Sequence, residues 1–241
     1  MSTDRSTRSA CIDARALPTY ALGGGHPWAP DRQLGLLELC ETSGLLRESD
    51  FLATAPASRE ELLTVHHEGY VAALAALDGE SPTPEAKRRG VVHGLGSADN
   101  PVHPGQYRAA CAIAGATRDL VRALMRNEID RGFQPTGGLH HAMPDAASGF
   151  CLVNDLALGI RLAREMGAKR VAYVDFDVHH GDGVERSFRD DPNVLTVSDS
   201  DSAPSWASWP ATVEATPLDR EAQRKTVASV TGSPSVTRVT P

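Results

Sequence analysis

Hydrophobic positions along this chain follow two rhythms. In "PDRQLGLLELCETSG" the segment opens on Pro30 and Asp31, sets Leu36, Leu39 and Cys40 on one face and stops at Gly44, which predicts a first helix. "SREELLTVHHEGYVAALAAL" carries Ser58 and Glu61 at capping-box spacing, then an apolar stripe of Tyr70, Val71, Leu74 and Leu77 after a break near Gly69, so two short helices are expected. A longer helix is predicted in "QYRAACAIAGATRDLVRALMRN", where Ala110, Ala114, Thr117, Val121 and Leu124 recur every three or four residues. Leu156, Ile160, Ala163 and Met166 mark another, ended by Gly167. The second rhythm is the unbroken apolar run at 171–174 in "RVAYVDFDV", as in a parallel strand covered on both faces. A helix feeding such a strand predicts an α/β chain of three layers, with helices on both sides of a parallel sheet.

Between these segments the regularity breaks. Residues 79–105 and the stretch "TGGLHHAMPDAASGF" have the glycine, proline and polar density of loops. Residues 1–19 read as a flexible polar start, and residues 20–198 as one domain. In residues 199–241, 18 of the 43 are Ser, Thr or Pro, without Ile, Phe, Tyr, Met, His or Cys, and that composition predicts disorder.

Composition narrows the function classes. A chain of 241 residues, 41% of them hydrophobic, suffices for one α/β domain with a core. A formal net charge of -7 offers no basic surface for nucleic acid or an anionic membrane, so a small-molecule or peptide substrate is expected. Cys11, Cys40, Cys111 and Cys151 form no C-x-x-C pair and read as reduced thiols of a cytoplasmic protein. No run approaches a membrane span, and "MSTDRSTRSA" lacks the apolar core of a signal peptide, so a soluble chain is expected. Oligomeric state is left open.

The candidate chemistry gathers after the predicted strand, in "YVDFDVHHGDG". In an extended chain alternate side chains share a face, so Asp175, Asp177 and His179 are expected to project together while Phe176 and Val178 point into the packing layer. Ligands bind at the carboxyl ends of parallel strands. There, Asp177 and His179 make a plausible half of a zinc site, with Asp175 and Asp182 as acceptors for histidine N–H groups. A solvated Asp/His/Gly turn is the plainer reading of that triplet. The tandem His140 and His141 in a second glycine-rich stretch favour a hydrolytic centre. His26, His66, His67, His93, His103 and His180 read as loop, cap or supporting residues.

Taken together, "GGLHHAMPDAASGFCLVND", "RVAYVDFDVHHGDGVERSF" and "DDPNVLTVS" resemble the histone deacetylase family, in its bacterial branch of acetoin-utilisation-type deacetylases and acetylpolyamine amidohydrolases. "GGGHPWAPDR", "TVHHEGYVAAL" and "GLGSADNPVHPGQYRAA" extend the resemblance upstream, over roughly residues 20 to 198. It implies the arginase-deacetylase fold and zinc-dependent hydrolysis of an N-acetyl amide, on an acetylated small molecule or an acetyl-lysine protein. By motif, Asp177 and His179 match two of the family's three zinc ligands, and His140 and His141 its tandem catalytic histidines. Asp175 and Asp182 match the acidic partners of those histidines. Gly149 and Phe150 match the wall of the acyl-lysine tunnel, and Arg32 an arginine of the acetate-release channel. The resemblance assigns the proton shuttle to His141 and an orienting role to His140. Asp175, Asp177, His179 and Ser198 also match residues around a structural monovalent-cation site, such as one for K+.

Two rivals stand beside this reading. An arginase-like ureohydrolase with two manganese ions shares the fold but resembles D-x-H-x-D, whereas the acid after His179 is Asp182, three positions on. A non-catalytic binding protein or inactive remnant is the other, because the motif resemblance stops after "VLTVS", as a frameshift or truncation would produce. The third zinc ligand and the family's transition-state tyrosine have no match in the sequence, so impaired activity is expected.

Overall fold

The computed structural model describes residues 7–20, 30–198, 225–231 and 233–240. Its sheet has the strand order β1-β2-β5-β6-β3-β4. The strands are β1 Ser9–Cys11, β2 Arg131–Gln134, β3 Arg170–Asp175, β4 Val194–Ser198, β5 Lys225–Thr231 and β6 Ser233–Thr240. β1, β2 and β5 run parallel to one another, as do β3 and β4, while β6 is antiparallel to both its neighbours. The parallel sheet expected from the apolar run is thus present in β1, β2 and β5 and in β3 and β4, with β6 as an antiparallel strand between them.

The mixed sheet corrects the expectation for residues 225–231 and 233–240, which composition predicts to be disordered. They form a hairpin seated between β2 and β3. Composition averaged over the whole tail hides their content: "KTVASVT" and "SPSVTRVT" are dominated by β-branched Val and Thr, which suit a pleated backbone. Residues 199–224 lie outside the described residues. The flexible start expected for residues 1–19 is corrected in the same way at β1. There Ala10 and Ile12 are buried, and the Ile12 N–H donates to the Phe133 carbonyl at 2.9 Å.

The helices are α1 Asp31–Thr42, α2 Arg59–Leu62, α3 Glu68–Ala76, α4 Pro84–Val91, α5 Gln106–Met125, α6 Asp155–Glu165 and α7 Asp182–Phe188. α2 starts on the expected capping box, with the Ser58 and Glu61 side chains each bonded to the other's backbone N–H. α1 turns a different face inward than its pattern suggests: Leu37 is buried, whereas Leu39 is 62% exposed. α4 falls inside a stretch expected to be loop. Thr83 caps it, Pro84 opens it, and Glu85 pairs with Arg88 and Arg89 one turn on, a start signal that loop-like composition obscures.

Two apolar clusters share α5. Its first half packs with Tyr70, Leu74, Leu139 and Leu152, and its second half with Ile12, Leu156, Ile160, Val171 and Tyr173. α5 lies on α6, and α6 touches β3, so α6 links the long helix to this strand. β3 is an interior strand, between β4 and β6.

Candidate active site

The site begins where β3 stops. Extended structure ends at Asp175, so the alternation expected for 175–179 does not continue, and Phe176 and Val178 are 52% and 58% exposed instead of entering the packing layer. Acid side chains shape the turn instead. Asp175 Oδ1 accepts the Asp177 N–H at 3.0 Å, and Asp177 Oδ1 accepts the His179 N–H at 2.7 Å, the local bonding by which aspartates bend a chain. Asp175 and Asp177 are buried, while the His179 ring faces outward.

Two imidazole–carboxylate pairs stand beside this turn. His140 Nδ1 lies 2.6 Å from Asp175 Oδ2, and His141 Nδ1 lies 2.7 Å from Asp182 Oδ1. The carboxylates accept, so each Nδ1 carries the proton and each Nε2 is left as the basic nitrogen. The two rings are 4.0 Å apart between centroids, and the His179 ring lies 5.8 Å from that of His141. Burial pushes the Asp175 carboxyl upward, but bonds from His140, the Tyr173 hydroxyl and the Asp177 N–H outweigh it and hold the carboxyl below its ordinary value. At the end of the β3–β4 ladder Asp175 is the register partner of Ser198, whose Oγ accepts the Gly181 N–H at 3.1 Å.

Backbone approach is close on two sides of the histidines. Gly183 in α7 sits where a Cβ would come within 2.5 Å of the carbonyl oxygens of both His140 and Ala142. Gly149 has φ +48°, and a Cβ there would meet His141 Cδ2 at 2.4 Å. Phe150, also at positive φ, is half-buried against the first apolar cluster, and its carbonyl accepts the Tyr20 hydroxyl at 2.5 Å. Arg32 is exposed on α1, and His26 lies outside the described residues.

For zinc, the donor chemistry fits. His179 Nδ1 and Asp177 Oδ1 lie 2.8 Å apart, one imidazole nitrogen and one carboxylate of the kinds that zinc accepts. Among the described residues no group of three His, Cys, Asp or Glu gathers as metal donors, so these residues provide two donors of a set that normally has three. Asp182 does not join them: its Oδ1 is taken by His141 and by the Gly183 N–H.

The sequence pattern brought His140, His141, Asp175, Asp177, His179 and Asp182 into view, and the structure draws all six together. It also reveals supports that the pattern missed. Tyr173, spaced two residues before Asp175 on the same strand, donates its hydroxyl to that carboxylate. Asn154 and Asp155 bond the histidine loop from the start of α6, and His66 bonds both that loop and Asn154. The available signal was Asn154 itself, an N-cap residue type directly before a helical apolar stripe.

A protein-family model described as a histone deacetylase domain matches residues 26–237, past the point where the motif resemblance ends. The acetoin utilization protein AcuC of Bacillus subtilis (strain 168) is 36% identical over 191 residues, covering 79% of this chain and 48% of that protein. Histone deacetylase 8 of Xenopus tropicalis is 40% identical over 171 residues, covering 70% and 45%. The crystal structure of an HDAC homolog from Aquifex aeolicus aligns with a TM-score of 0.68 at 29% identity, covering 80% of this chain and 50% of that one. An HDAC homolog complexed with SAHA aligns equally well. The fold is thus the arginase-deacetylase α/β type, and the chain spans about half the length of the curated relatives it matches.

Proposed function

The chain belongs to the histone deacetylase domain family, and from that premise we propose that its histidine–aspartate centre hydrolyses an N-acetyl amide and releases acetate. The observation that carries this reading is the pair of neighbouring imidazoles, each held at Nδ1 by its own carboxylate, beside the Asp177–His179 turn. Two oriented bases next to two metal donors suit the removal of a proton from water and its return to a leaving amine.

The two histidines divide the work by exposure. Asp175 is fully buried and kept ionised, so the His140 ring it holds serves to stabilise positive charge and to orient water. The His141 ring is more open and its partner Asp182 is 40% exposed, which suits a base that must take a proton at Nε2 from water and deliver it to the amine nitrogen. Asp177 and His179 would hold zinc, which when bound supplies Lewis acidity toward an amide carbonyl and toward water. Gly149 and Phe150 line the approach of an acetylated aliphatic stem in this reading. Asp175, Asp177, His179 and Ser198 would hold a structural monovalent cation such as K+. The substrate is an acetylated small molecule of the polyamine type or an acetyl-lysine protein.

The test is acetate release by the 241-residue chain, with zinc kept in the buffer, from an acetyl-lysine peptide and from an acetylated polyamine. Slow zinc-dependent release that His141→Ala abolishes is expected. No release from either substrate at saturating zinc, or release indifferent to His141→Ala, overturns the proposal.

A further inference from the structure

Residues 138–143 carry both catalytic candidates without a helix or strand of their own. A loop of that kind does not orient two imidazoles by regular backbone pairing, so the orientation has to come from groups outside it. We propose that Asn154, Asp155 and His66 are positioning residues for the tandem histidines, clamping the backbone of residues 138–143 so that His140 and His141 meet their carboxylates. This rests on the reading of those histidines as the hydrolytic pair.

The clamp acts on backbone groups. Asp155 accepts the N–H groups of Gly138 at 3.1 Å and Leu139 at 2.8 Å. The Asn154 amide nitrogen donates to the carbonyls of His140 at 3.4 Å and Ala142 at 3.0 Å. His66 Nδ1 lies 3.0 Å from the Met143 carbonyl, which can only accept, so that nitrogen donates. The loop is thus held before, at and after the two histidines by three side chains, each bonded to its backbone.

Each clamping group is itself braced. The Asn154 N–H donates to His66 Nε2 at 2.9 Å, and Asn154 Oδ1 accepts the Ala157 N–H at 2.9 Å. Thr117 on α5 donates its hydroxyl to Asp155 at 2.6 Å. His66 uses one nitrogen to donate and the other to accept, which requires a neutral ring. Burial accordingly holds it to about 4, below the usual histidine value. With Asn154 and Asp155 1% and 0% exposed and His66 3% exposed, water has little access to replace a lost partner. The loop is thereby referenced to α5 and, through α6, to β3, the strand that ends in Asp175. Small displacements at a reacting centre are costly to rate, which is what such a clamp prevents.

The experiment reads the geometry without relying on turnover: NMR of the imidazole Nδ1–H protons of His140 and His141 in the full 241-residue chain. Asn154→Asp keeps the oxygen that caps α6 and the side-chain size, but turns an oxygen instead of an N–H toward the two carbonyls. Both protons are expected to exchange with water at least about tenfold faster, while the ring proton of the His180–Glu185 pair is unchanged. His66→Gln should move the same two protons in the same direction, and it carries the test alone if Asn154→Asp does not fold. Ser58→Ala removes a cap at α2 outside the clamp and is expected to leave both protons unmoved. Exchange within about twofold of the parent chain in the folded clamp variants, or an equal response to Ser58→Ala, overturns the proposal. Acetate release measured on the same samples separates the two readings: proton responses without hydrolysis reject the hydrolase and leave the clamp standing.

Discussion

His140 and His141 are chain neighbours with ring centroids 4.0 Å apart, yet they are tied to different parts of the fold. His140 reaches Asp175 at the end of β3, a carboxylate with no exposure. His141 reaches Asp182 at the start of α7, whose side chain is 40% exposed. One imidazole is anchored in the core and the other at the rim, and this difference underlies the unequal roles proposed for them.

It follows that His141→Ala should lower acetate release by about 10²-fold or more, while zinc uptake stays within error of the parent chain. His140→Ala should cost less. Steady-state kinetics beside metal analysis check both, and a larger loss from His140→Ala would reverse the assignment of the shuttle.

Zinc retention should be weak in this chain. Asp177 and His179 are two donors, and no third joins them among the described residues. Zinc is expected to leave on dialysis and to be recovered by adding it back, as read by metal analysis before and after. One zinc per chain surviving dialysis would place a third donor in the residues not described.

His66 makes stability pH-dependent. Its folded value is about 4 and its ordinary value 6.5, so between those limits the unfolded chain binds a proton that the folded chain refuses. The contribution is complete above pH 6.5 and is lost as pH falls toward 4, by up to about 3 kcal/mol. Urea unfolding at several pH values should show this slope, and His66→Gln should flatten it.

Tyr173→Phe removes a donor from a carboxylate that is fully buried. A loss of about 1–3 kcal/mol is expected, with the Asp175 carboxyl moving upward, measured by denaturant unfolding and carboxyl NMR titration.

Gly183→Ala should strain the His140 loop directly, since the new Cβ would lie 2.5 Å from two carbonyl oxygens rather than from a yielding side-chain end. The expected cost is about 1–3 kcal/mol, with displaced His140 and His141 ring signals. An unperturbed ring spectrum would show that α7 can shift without moving the histidines.

What could be read from residue order is local in origin. The capping box at Ser58 and Glu61, the stripes of α5 and α6 and the apolar run of β3 were legible because helix and strand periods are properties of neighbouring residues. The acids and imidazoles of the site were legible because two short motifs contain them all. Strand pairing was not: whether "KTVASVT" and "SPSVTRVT" remain loose or enter the sheet depends on partners β2 and β3, far away in the chain. Nor was the pairing of each histidine with one particular aspartate. His140 and Asp175 are 35 residues apart, and His141 and Asp182 are 41 apart. The packing of α6 against β3 and of α7 against β4 decides which carboxylate each ring meets. Asn154, Asp155 and His66 escaped notice for the same reason: an asparagine, an aspartate and a histidine have many possible uses, and only burial around one particular loop assigns theirs.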